Sequence, residues 1–591
     1  MGIEAAITEI QIDLDSNRRG VRGSSVADDT KLLWRVWLSL TLSLFFCVIP
    51  AFWVVPASAA LYAHIDEIPE EVIDRDRSVR RQSEARTEAL AAIREGVAAG
   101  RPQVALEYLG DASGMVRDAT FDQLKKMSTE QISQVIEEWP RHPLRKAAPQ
   151  KRSLIEAGLA EVLYHHPNAE AESWLFSIAS SRKQEEGTRE LALAALGQLP
   201  SNSLKKKTLQ GITRLAEREP SWWVRGEALL CLCEHDQEAA AKAVAKAWQE
   251  KKSLPMRLIS LRAQALLEPK TAIGWAQSLL SEEIKDRKGI WKGRLERGAL
   301  SLIGEEGAQL PRAERAPYID GLIARALEAS GRSWVPEIPA LKKLSEGALD
   351  SNSVIAWDSW WRSRRDEWIQ GQPTATGETS QGEATKKDEP GQTKVVEYHG
   401  VPIDSRRIVF VSDVSGGMSR NLAGDFNGPG PLRLEVARAE LLRVLGELPA
   451  EALVQVIYFA SLRIPVLPAP QLLGRCHKVL KKRIGEQGVP QGRGEARGNL
   501  YAPLRAALFE PGVDTVMLLT EGAATEGRIH DGDRLLWHVS RWNRWAQVRL
   551  HVLSVGRLSG GNRSFLEKLA RDHRGEFHDI DDRFREPVRA R

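Results

Sequence analysis

The stretch FVSDVSGGMSRN, residues 410–421, sets a carboxylate and a hydroxyl, Asp413 and Ser415, two positions apart just past an apolar run. Hard oxygens in such a loop suit a small divalent cation, which wants near-octahedral oxygen coordination with water filling the gaps. The same residues also suit plain turn chemistry. An aspartate caps a turn by accepting backbone N–H groups, and Gly416 and Gly417 let the chain bend sharply. Other chemistry is sparse. The sequence holds no H-E-x-x-H, Walker loop, G-x-S-x-G or C-x-x-C. Cys231 and Cys233 stand two apart in an apolar run, so on a helix they diverge and read as small buried hydrophobes. His165 and His166 adjoin and cannot face one another on a helix. His530, Asp531 and Asp533, in RIHDGDR, read as a solvated polar loop. With no catalytic residue in view, the chain is expected not to be an enzyme; the alternative is a hydrolase with its site in the helical region.

The elements around Asp413 alternate. RRIVFVS (406–412), ALVQVIYFA (452–460), DTVMLLT (514–520) and QVRLHVLSVG (547–556) are short apolar runs, as in strands buried on both faces. Between them, 432–448, 499–508, 534–545 and 564–577 carry helical periodicity, the last ending in a Gly stop and a short edge strand. Such alternation predicts a Rossmann-like, doubly wound, mostly parallel α/β sheet over 396–591, whose ligands bind at the C-terminal ends of the strands. Asp413 falls on that rim.

Three loops together resemble the von Willebrand factor type A (VWA) family. Asp413-Val414-Ser415-Gly416-Gly417 is similar to its D-x-S-G-S adhesion-site loop, GEARGNLYAPLRAAL (494–508) to its threonine-bearing loop, and LLTEGAATEGRI (518–529) to its T-D-G-x-P-T-x-G loop. The resemblance implies a metal-ion-dependent adhesion site built from an Asp and two Ser on the first loop, a Thr on the second and an Asp on the third. Carried over, Asp413 and Ser415 match, and Glu521 replaces the third-loop Asp with one methylene more. Gly417 and Gly498 stand where a Ser and a Thr belong. The expected metal set is therefore Asp413, Ser415 and Glu521, an incomplete site holding Mg²⁺ or Mn²⁺ weakly or not at all. Ser412, Ser419 and Asn499 lie close but match no ligand position.

Upstream, residues 78–369 are rich in Leu, Ala, Glu, Lys and Arg, with apolar residues recurring every three and four. Arg117, Arg189 and Arg225 open similar motifs, R-x-x-(T/A)-(F/L)-x-x-L, and Arg257 and Arg294 open looser copies, at spacings of 72, 36, 32 and 37. A helix pair per repeat cannot cover its own apolar face, so pairs stack, and the region looks like a HEAT-type α-solenoid. Trp357, Trp360, Trp361 and Trp368 form a stripe expected to cap its end. Residues 370–394 carry no large apolar side chain and read as a flexible linker.

Residues 36–63 carry no charge, longer than the about 20 apolar residues that span a bilayer. Arginines and a lysine precede them within 1–35, and DEIPEEVID follows. The positive-inside rule puts the N-terminal segment in the cytoplasm and everything after 63 on the extracytoplasmic side. Ala57-Ser58-Ala59 offers a cleavage site, so the run is either a signal peptide or an uncleaved membrane anchor. Lys and Arg number 83 against 79 Asp and Glu, with no basic stripe, which argues against a nucleic-acid partner. The expected function is protein binding or assembly by an exported or membrane-anchored chain. A metal-dependent adhesion protein is the alternative.

Overall fold

In the C-terminal part, each central strand sends alternate side chains into two different cores, because side chains alternate across a strand. Ile408 and Phe410 enter one core, and Val409 and Val411 enter the other. The computed structural model describes residues 79–286, 289–328, 335–372, 396–426, 428–492, 495–522 and 524–580. The apolar run 36–63 and nearly all of the linker lie outside them. Among the described residues, no helix is long and apolar enough to cross a membrane.

The helical part is built in two rows. One row comprises α1 (Gly114–Leu124), α2 (Pro149–His165), α3 (Glu186–Gly197), α4 (Trp222–His235), α5 (Leu254–Leu267) and α6 (Lys292–Gly307), each packed on the next. Helices Glu172–Ser180, Lys206–Arg218, Gln237–Trp248 and Pro269–Leu280 alternate with α2–α6 and bury one face each. The repeat arginines have distinct partners. Arg189, Arg225 and Arg257 each clasp a glutamate just past the helix that follows their own: Glu219 at 2.7 Å, Glu250 at 2.5 Å and Glu282 at 2.7 Å. Trp357, Trp361 and Trp368 are buried at the end of the array, as the stripe predicts.

A small hairpin, β1 (Val396–Tyr398) and β2 (Val401–Ile403), precedes the main sheet. The sheet contains β3 (Arg407–Asp413), β4 (Leu453–Phe459), β5 (Arg463–Pro465), β6 (Gln471–Leu472), β7 (Thr515–Thr520), β8 (Arg549–Ser554) and β9 (Phe577–Asp579). Its order is β5-β4-β3-β7-β8-β9, with β6 also on β4. Strands β4, β3, β7, β8 and β9 are parallel, while β5 and β6 run antiparallel to β4. Helices α7 (Arg433–Glu447) and α8 (Leu473–Glu486) cover one face. Helices α9 (Tyr501–Phe509), α10 (Gly532–Ala546) and α11 (Gly560–Asp572) cover the other. The chain turns outward in both directions from β3, so the ends of β3 and β7 form the switch point where such sheets build sites.

Although the sequence suggests two parts on a tether, the sheet domain is docked along the α1–α6 row. Helix α10 explains how. Leu535, Val539, Trp542 and Ala546 face the sheet core, while Arg534, Trp537, His538, Arg541, Arg544 and Trp545 share the opposite, helical-array side. Arg534 grips Glu161 of α2 through two bonds of 2.7 and 2.6 Å and Asp118 of α1 at 2.6 Å. Arg541 and Arg544 both pair with Glu190 of α3 and Glu227 of α4. The outer repeat arginines reach across as well: Arg117 donates to Gly527 O at 2.6 Å and Arg294 to Glu510 O at 2.8 Å. Each side lends the other a tryptophan. Trp545 packs with the helical core, and Trp223 packs with the sheet core against Phe509, ring centres 4.9 Å apart. The RIHDGDR turn is seated through its backbone, the His530 and Asp531 amides each donating to Asp118 Oδ2 at 2.6 Å, while the Asp531 and Asp533 side chains stay exposed.

Candidate functional site at the sheet rim

Strand β3 ends at Asp413 and β7 at Thr520, and parallel register brings the following loops together. Asp413 is 2% exposed. Its Oδ1 accepts the Ser415 N–H at 2.8 Å, and its Oδ2 accepts the Thr520 hydroxyl at 3.2 Å and the Glu521 N–H at 3.3 Å. The turn-capping role is thus present, across two loops. Burial pushes the Asp413 carboxyl up to about 6, and the neighbouring Glu521 charge adds to the rise.

The three expected ligands do converge. Ser415 Oγ donates to Glu521 Oε1 at 3.2 Å. The other carboxylate oxygen, Oε2, is taken by Arg433, whose Nη1 lies 3.1 Å away. Arg433 is 5% exposed and sits at the start of α7. Two glycines make this arrangement fit. A Cβ on Gly417 would overlap the Glu521 carboxylate, and a Cβ on Gly556 (φ +99°) would overlap the Arg433 guanidinium. The extra methylene of Glu521 thus carries its carboxylate into the space a side chain at position 417 would fill. Gly498 does not contribute an oxygen from its side; its N–H donates to Thr525 Oγ1 at 2.8 Å.

Tested as a cation site, the obstacle is charge: the Asp413 oxygens and Ser415 Oγ keep lone pairs, but the positive charge already facing Glu521 is the Arg433 guanidinium. A divalent ion would have to displace Arg433 and leave that arginine buried without its partner, which costs several kcal/mol. The residues present do not fit a tightly held metal. Ser419 Oγ donates to Gly416 O at 2.6 Å, and Asn499 Nδ2 to Ser461 O at 3.1 Å, so neither is turned to the rim chemistry.

Arg433 and Thr520 are the rim residues that the sequence reading missed. Arg433 opens the helix after the first loop, where a cation reads as ordinary surface. Beyond it, the loop from Ser415 to α7 carries Phe426, 58% exposed, with the Arg420 guanidinium 4.4 Å from its ring centre.

No family model matches the chain, and no curated protein matches it. Among solved structures, the PilB minor pilin from Streptococcus sanguinis and a point mutant of it align at 12% identity. The alignment covers 31% of this chain and 61% of that one, with TM-scores of 0.23 and 0.25. Likeness that slight carries no argument about the fold or the site.

Proposed function

We propose that the chain is a protein-binding or assembly module, in which a VWA-like domain is held by a HEAT-like array and recognises its partner at the sheet rim without a divalent cation. The observation that carries this reading is the Phe426–Arg420 pair, an exposed aromatic stacked with an arginine on the rim loop. Aromatic residues and arginine are enriched at protein interfaces relative to the rest of the surface. Metal independence is supported by the Arg433–Glu521 ion pair, which supplies an internal positive charge where an adhesion-site ion would sit. The partner is a protein, and nucleic acid is not expected. In this reading the chain is exported or anchored through 36–63, with the array and domain outside the cytoplasm.

Capture of partners from envelope extracts by the purified chain, with and without a chelator, tests the proposal. Equal capture under both conditions, lost in Phe426→Ala while thermal melting is unchanged, is expected. Capture abolished by the chelator would favour the metal-dependent adhesion reading built on Asp413, Ser415 and Glu521. Capture unaffected by Phe426→Ala would remove the rim loop as the recognition element.

A further inference from the structure

A cavity of about 650 Å³ lies on the seam between the helical array and the sheet domain, away from the rim. Its walls carry seven Lys and Arg side chains against four Asp and Glu. Most of these cations have partners. Arg549 pairs with Asp404 at 2.9 Å, and Arg544 pairs with Glu190 and Glu227. Glu305 is already shared by Arg262 at 3.4 Å and Lys343 at 3.3 Å. Arg574 differs. Among the described residues its guanidinium makes one hydrogen bond, to Gln547 Oε1 at 3.3 Å, and has no carboxylate partner.

Arg574 also sits in the left-handed backbone region, at φ 62°, a conformation an arginine adopts only at a cost of about 1 kcal/mol or more. The turn that follows is tight, since a Cβ on Gly575 would overlap the Leu550 carbonyl. A strained backbone thus delivers a cation with no direct carboxylate partner among the described residues into a pocket that already holds Arg297 and Arg262. Burial and the fields of Arg297 and Arg262 push Arg574 down to about 10, with Glu305 opposing.

Two histidines on the same wall add neutral donors. His551 Nδ1 accepts the Glu576 N–H at 3.2 Å, and His573 Nδ1 accepts from Asn543 Nδ2 at 3.2 Å. The Asn543 orientation is fixed, because its Oδ1 accepts the Val548 N–H at 2.8 Å. Both rings therefore carry their proton on Nε2, and neither Nε2 has an acceptor. Burial holds both rings neutral at neutral pH, at about 4. Buried donors without acceptors and a guanidinium without a carboxylate partner share one remedy, an oxygen-rich anion.

The geometry points to a binding site for an organic phosphate in this seam cavity, with Arg574 as its principal charge and Arg262 and Arg297 beside it. The volume falls in the range of small-molecule sites and admits a ligand of nucleotide size. Bridging both parts, such a ligand would tighten the docking of the sheet domain on the array.

Calorimetry of the full chain with pyrophosphate, ADP and adenosine tests the site. Saturable heat is expected with pyrophosphate and ADP and none with adenosine. Arg574→Gln should weaken pyrophosphate binding by about tenfold or more, the size of one hydrogen-bonded contact to a charged group. Its melting temperature should not fall, since the arginine has no ion pair to lose. If Arg574→Gln nonetheless fails to fold, Arg262→Gln gives the same reading from a wall residue whose side chain is 25% exposed. Arg364→Gln, on the exposed side of helix Val354–Ile369 and outside the cavity lining, should bind as the unaltered chain does. No heat with pyrophosphate, or equal affinity in Arg574→Gln (or in Arg262→Gln, when that variant stands in), would overturn the assignment.

Discussion

Glu161→Gln attacks the docking seam at its most connected carboxylate. Glu161 is 1% exposed; it holds Arg534 by two bonds of 2.7 and 2.6 Å and takes the His538 Nε2–H at 3.2 Å. Removing one partner of a buried pair costs roughly 3–5 kcal/mol. Arg534 keeps Asp118, so the lower end applies, about 3 kcal/mol. The pH dependence has a definite sign. Burial works against the Glu161 charge, but Arg534 and His538 outweigh it and hold the carboxyl far below its ordinary value near 4.5. A carboxyl depressed in the folded state adds stability that is complete above the unfolded value and fades as pH falls. The unaltered chain should therefore lose stability below about pH 4.5 from this group, and Glu161→Gln should lack that component. Urea unfolding at neutral and acid pH measures both, and a double-mutant cycle with Arg534→Gln isolates the pair. A neutral-pH loss under about 1 kcal/mol, the size of an exposed pair, would refute the buried seam.

The rim yields three further expectations. Gly417→Ser should cost about 1–3 kcal/mol, because its Cβ drives Glu521 off Arg433, and adding Glu521→Asp should recover most of it. A carboxyl held at about 6 rather than near 3.8 costs folding about 3 kcal/mol at neutral pH, so the Asp413 contribution weakens the protein as pH rises from about 4 to 6. Asp413→Asn should flatten that fall in melting temperature across the same window, with the neutral-pH gain trimmed to about 1–2 kcal/mol by the lost acceptor for the Glu521 amide. Arg433→Gln leaves Glu521 and Asp413 facing each other without a cation. It should destabilise the chain at neutral pH, regain stability as Asp413 protonates below about pH 6, and respond to Mn²⁺ where the unaltered chain does not.

The strands were legible because β3, β4, β7 and β8 are short continuous apolar runs that feed two cores. Their observed limits differ from the sequence reading by a residue or two. The edge strands Arg463–Pro465 and Gln471–Leu472 and helix α8 were not read, since LGRCHKVLKKRIGE looks like a polar surface stretch and the two strands are two or three residues long. At the rim, Asp413, Ser415 and Glu521 could be brought together from the loop resemblance. Arg433 could not, because its role depends on the glycines at 417 and 556 leaving room, which is a property of the folded backbone. The docking was invisible for a related reason. Glu161, Glu190 and Glu227 look like solvent-facing charges on helices, and Arg534, Arg541 and Arg544 look like the wet side of α10. Only the fold shows that these are the two halves of one buried network. A carboxylate inside an otherwise apolar run, as Glu161 is in GLAEVL, was the signal on hand.

Manganese calorimetry on the unaltered chain beside Arg433→Gln tests most directly whether the rim is closed by an internal ion pair. The unaltered chain should give no saturable heat, and Arg433→Gln a measurable one. Stoichiometric Mn²⁺ binding by the unaltered chain, abolished by Asp413→Ala, would contradict that closure.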